Sequence, residues 1–97
     1  MKFEEFLKCR EEGDIPEDIH GLLQALLLDA AGDWQSAHRI AQEELTPEGS
    51  LVHAYLHRKE GDLANASYWY SNAGSPMPDS GLDEEWEQIA RELTGKG

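Results

Sequence analysis

The chain has 97 residues, with 20 Asp and Glu against 8 Lys and Arg, a formal net charge of −12. That length suits one domain with one modest core and excludes a cofactor-binding domain joined to a substrate domain. The few cations are scattered over an acidic background, so a nucleic-acid or anionic-membrane binder lacks its electrostatic footprint, and the single cysteine, Cys9, excludes an internal disulfide and a zinc finger.

The first predicted helix spans residues 2–12. Its segment MKFEEFLKCREE mixes charged with apolar residues and has no secretory-type apolar core, and the longest uninterrupted apolar run in the chain is only Ala25 to Leu28. A soluble, cytoplasmic protein in a reducing compartment is therefore expected. Further helices are predicted over 15–31, 34–45, 47–60, 63–73 and 82–94. Three boundaries come from a recurring dipeptide, Gly13-Asp14, Gly32-Asp33 and Gly61-Asp62, which pairs a glycine suited to a left-handed helix end with an aspartate suited to cap the next helix. Asp14 with Glu17 resembles a capping box, and Thr46 before Pro47 supplies a cap followed by proline at the first helical position. Residues 74–81, GSPMPDSG, hold two prolines and no periodicity, and read as the one long loop.

Only seven residues are β-branched and no segment alternates apolar with polar, so strands lack both propensity and pattern and the fold class is all-α. Leu, Ile, Val and Phe make up 19 of the 97 residues, which with the high charge leans toward disorder, but ten Ala, three Trp and three Tyr restore a core of close helix contacts and large rings. Helical stripes support this. Trp34, Ala37, Ile40, Ala41 and Leu45 share one face of the third helix, and Leu63, Ala66, Trp69, Tyr70 and Ala73 one face of the fifth. Trp86, Ile89, Ala90 and Leu93 form the inward stripe of the last.

Displacing the chain by 29 residues superimposes Leu22 on Leu51, Ala25 on Ala54, Gly32 on Gly61, Asp33 on Asp62 and Ala37 on Ala66. This helix, Gly-Asp turn and helix, repeated twice over residues 20–78, resembles the tetratricopeptide family of helical repeats. The resemblance implies a single domain, residues 1–97, of six helices. Central hairpins over about 15–45 and 47–74 would lie between capping helices over about 2–12 and 82–94. Two units are fewer than the three that make a stable array, so either the flanking helices close the core or a second copy of the chain does. A second resemblance is narrower. His57, Arg58, Glu60, Gly61, Asp62, Asn65, Ala66, Tyr68, Trp69, Tyr70, Ala73 and Gly74 match a motif of small bacterial proteins, His-Arg-x-Glu-Gly-Asp-x-x-Asn-Ala-x-Tyr-Trp-Tyr-x-x-Ala-Gly, to which no activity is assigned.

One constellation has the residue types for chemistry. His53, His57 and Glu60 fall at i, i+4 and i+7 on the fourth helix and share a face, where two imidazoles and a carboxylate could ligate a metal ion, with His38 of the preceding helix as a further donor. Ala54 stands where a zinc protease would carry its glutamate, which removes that mechanism. The competing reading is that both histidines are packing residues bonded to neighbours such as Asn65. On another side of the helix, Tyr55, Arg58 and Lys59 form a patch able to hold a carboxylate or an acidic peptide, unless the two cations pair with the chain's own acids. Tyr68, Trp69 and Tyr70 cannot all face inward, so one ring is expected at the surface. Gly95-Lys96-Gly97 lacks the spacing of a phosphate loop, and no other cofactor motif is present.

Taken together these residues predict a small acidic helical binding or adaptor module, with no cofactor, that engages a protein or peptide partner through Tyr55, His57, Arg58, Lys59, Asn65 and Tyr68. A second copy of the chain is one such partner. The alternative is a metal- or small-ligand-binding protein or enzyme using His53, His57 and Glu60.

Overall fold

The computed structural model describes residues 1–95, so Lys96 and Gly97, the end of the glycine-lysine-glycine segment, lie outside the described residues. Six helices account for the fold: α1 (Phe3–Glu12), α2 (Leu22–Ala30), α3 (Trp34–Glu43), α4 (Pro47–Glu60), α5 (Leu63–Ala73) and α6 (Leu82–Gly95). No strand occurs among the described residues, and the all-α expectation holds.

Most predicted caps form. Asp33 accepts from the Ser36 amide, Asp62 from the Asn65 amide and Thr46 from the Gly49 amide, so α3, α5 and α4 each begin on a satisfied donor. Gly61, at φ 92°, closes α4 in the left-handed region and turns the chain directly into α5. Asp14 behaves otherwise. Its amide donates to the Cys9 carbonyl and finishes α1, so no capping box opens a helix there. Residues 14–21 form an irregular connection, and α2 begins only at Leu22 because Gly21 sits at φ 73°, a backbone that cannot continue a right-handed helix.

Consecutive helices pack as neighbours, α2 on α3, α3 on α4 and α4 on α5, while α6 lies against α1, α2 and α4. The core is rich in alanine, with Ala25, Ala37, Ala41, Ala54, Ala66 and Ala90 all buried. Trp86 is fully buried, stacks on Phe6 at 5.4 Å and donates its indole N–H to the Leu26 carbonyl at 3.0 Å. The terminal helices therefore close the core themselves. Two stripe positions differ from expectation: Leu45 falls beyond the end of α3 and is 93% exposed, and Leu63, in the first turn of α5, is 55% exposed. For Leu45 the reason is that periodicity extended past a helix end assigns a face to a residue that no longer has one.

Contacts along α4 fix how its neighbours run. Trp34, at the start of α3, donates its indole N–H to the Leu56 carbonyl near the end of α4, at 2.9 Å. Asn72, near the end of α5, donates to Ser50 near the start of α4, at 3.2 Å. Both neighbours are thus antiparallel to α4, and mid-helix residues of α3 and α5 face its middle, where the histidines lie.

Candidate metal centre

His53 and His57 stand one turn apart on α4 and share a face, as the spacing requires. Both are buried, and the face meets His38, which is half-buried on α3. The three ring centroids form a nearly regular triangle: 4.6 Å between His38 and His53, 4.8 Å between His53 and His57, and 5.0 Å between His38 and His57. One ring nitrogen from each lies within 4.8 Å of the other two. Bonds of about 2.0–2.1 Å to one tetrahedral zinc ion would set such centroids about 5 Å apart, so the triangle already has the size such an ion needs.

Tryptophans flank the imidazoles on both sides. The Trp34 indole stacks on His38 at 4.8 Å with 11° between planes, and its edge meets His57. Trp69 of α5 stacks on His53 at 4.1 Å and 21°. The stacks hold the ring orientations and strip water from the rings. Burial, reinforced by the neighbouring imidazoles, pulls His53 down to about 4, and burial with the nearby His57 lowers His38 as well. Both shifts favour the neutral ring, the form that ligates metal.

Glu60 plays a different part from the one its spacing suggests. Its Oε1 accepts a hydrogen bond from His57 Nδ1 at 2.6 Å, so Nε2 is the ring nitrogen left to ligate a metal ion. Glu60 thus sits behind His57 and orients it, the carboxylate-histidine arrangement found around metal sites, and the third donor of the group is His38. A second set of donors, His57, Glu60 and Asp62, lies on the exposed side of the same imidazole.

The remaining predicted binding residues do not converge. Tyr55 is buried, and burial together with the charge of Asp29 pushes its phenol up. Arg58 donates to Glu85 at 2.7 Å and to the Ser80 carbonyl, pinning the loop over 74–81 to α4. Glu85 also accepts from the Tyr70 hydroxyl at 2.5 Å. Lys59 donates to Asp29 at 2.9 Å, and that carboxylate is buried in the core. Asn65 bonds Asp62 rather than a histidine, at 3.4 Å. Of the three consecutive aromatics Tyr70 is buried, Trp69 half-buried and Tyr68 62% exposed. Cys9 takes no part in either donor set, and burial followed by Asp14, Glu12 and Glu5 raises its thiol, the reverse of an activated nucleophile.

Sequence reasoning missed the flanking role of Trp34 and Trp69 and the close approach at Gly49. A β-carbon at Gly49 would overlap the Glu44 backbone carbonyl and side chain, so only glycine lets α4 leave the turn after α3 this closely. The local signal was a glycine in the first turn of a helix, where its low propensity demands a reason.

No family model, curated protein or solved structure matches the chain.

Proposed function

We propose that this protein binds a divalent transition-metal ion of the zinc class through His38, His53 and His57, with Glu60 orienting His57. The carrying observation is the triangle of three imidazoles with centroids 4.6 to 5.0 Å apart, drawn from two helices and flanked by two indoles. Packing alone explains it less well. Three basic rings in mutual contact gain little that aliphatic side chains would not supply, and His53 and His38 both lose proton affinity by being there. An all-nitrogen donor set suits zinc, cobalt, nickel and copper and disfavours calcium and magnesium, which prefer oxygen.

The test is calorimetric titration of tag-free protein, dialysed against chelator, with Zn(II) and Co(II). One ion per chain is expected. His38→Ala should weaken binding by about a hundredfold or more, and Glu60→Gln by about tenfold. The fourth histidine, His20, is exposed on the connection before α2, and His20→Ala should change nothing. Absence of stoichiometric uptake, or full uptake by His38→Ala, would overturn the reading.

Protein binding is the second reading, and the 93% exposure of Leu45 with the 62% exposure of Tyr68 favours it. A Leu45→Ser, Tyr68→Ser variant should keep its melting temperature and metal content while losing cross-links to a partner in the native cell. Unchanged cross-linking would remove this reading.

A further inference from the structure

A three-histidine set is the donor pattern of zinc sites that keep a coordination position for a fourth, exchangeable ligand, whereas purely structural sites are closed by four protein donors. Among the described residues no further His, Cys, Asp or Glu joins the group of His38, His53 and His57. The nearest carboxylate, Glu60, is engaged on His57 Nδ1 at 2.6 Å and lies behind the ring rather than in front of it. Imidazoles carry no charge once they ligate a metal, and Glu60 behind His57 offsets only one of the two positive charges of a divalent ion, so one charge is left between two indoles, where a net charge is costly. The local chemistry calls for an anion.

A groove meets the site at one of its three rings, His53. The groove, of about 290 Å³, runs between the α3–α4 turn and α5, and His53 and Trp69 form part of its wall. Gln42, Ser50 and Asn72 bring amide and hydroxyl donors to it, and Leu45 stands at its rim. Ser50 and Asn72 are already bonded to each other at 3.2 Å and so present ordered dipoles. Glu44 is the one acidic residue in the lining, which favours a small singly charged ligand over a polyanion.

Building on the metal-binding reading above, we propose that the centre is an open one, whose fourth position takes a small monoanionic Lewis base entering along this groove. The step is ligand exchange: the bond from metal to water breaks, a bond from metal to the anion's donor atom forms, and water leaves with no change in oxidation state. Such a site can bind small carboxylates or inorganic monoanions.

The experiment uses the full chain loaded with Co(II), whose visible d–d bands report coordination, titrated with sodium azide. A saturable change in those bands is expected. Gln42→Trp fills the groove from an exposed position, and Leu45→Trp does so from the rim. Each should retain its cobalt and weaken azide binding about tenfold. Bands that ignore azide in cobalt-loaded wild-type protein would overturn the open centre while leaving metal binding intact. Azide binding equally well in both tryptophan variants would overturn the groove as the route. Failure to take up cobalt at all would overturn the metal reading and this inference with it.

Discussion

A single side chain changes its meaning with its neighbour. Lys59 and Arg10 are both cations paired with aspartates, at 2.9 and 2.7 Å, but Asp29 is wholly buried and Asp83 is 84% exposed. Lys59→Met leaves a buried carboxylate without its partner and should cost about 3 kcal/mol, whereas Asp83→Ala should cost under about 1 kcal/mol, both read from chemical denaturation. Equal losses would contradict the burial argument. His53 carries a pH signature. In the metal-free protein its folded form resists protonation down to about 4, while the unfolded ring takes up its proton near 6.5. The native state then binds fewer protons, so stability present above about pH 6.5 is lost as pH falls toward 4, by up to about 3 kcal/mol. His53→Phe keeps a ring against Trp69 and should flatten that part of the profile. An unchanged slope would show that His53 is not its source.

Among elements, α4 is the organising helix, because α3 and α5 pack antiparallel on it and α6 is tied to it through Arg58 and Glu85. The turn between α3 and α4 decides whether His38 reaches His53. Gly49→Ala would push a methyl into the Glu44 carbonyl, so the turn must open. A loss of about 2 kcal/mol or more is expected, together with weaker metal binding in whatever fraction stays folded. The control is Gly61→Ala at φ 92°, which strains the other end of the helix by about 1 kcal/mol and leaves the imidazole triangle in place. If both glycine variants lowered metal affinity equally, the α3–α4 turn would have no special role in the centre.

For the whole molecule, core closure by α1 and α6 bears on association. With Trp86 and Phe6 stacked and buried inside one chain, a second copy is not needed to complete the core, and sedimentation at high concentration should give a monomer. A dimer would require a different surface, with Leu45 and Tyr68 the first to test. The net charge of −12 also opposes compactness, so raising sodium chloride from low to physiological strength should raise the melting temperature, and a flat response would contradict the self-repulsion argument.

The all-α class, the turn at Gly61, the caps at Asp33, Thr46 and Asp62, and the inward stripe of α6 were legible in the chain itself, because each depends on residues within about one helical turn of one another. The shared face of His53 and His57 was legible for the same reason. What three helices do to one another was not. Glu60 lies one turn from His57 and Trp34 one turn from His38, so those pairings were within reach of the same periodicity, whereas the closing of the His38 ring on His53 and His57, the stacking of Trp69 on His53, and the pairing of Arg58 and Lys59 with Glu85 and Asp29 all depend on contacts between residues distant in sequence. Helical periodicity assigns a residue to a face but does not say what that face meets. The partners were chosen by close packing of small alanines, which sets how near the helices approach and which side chains are left facing each other.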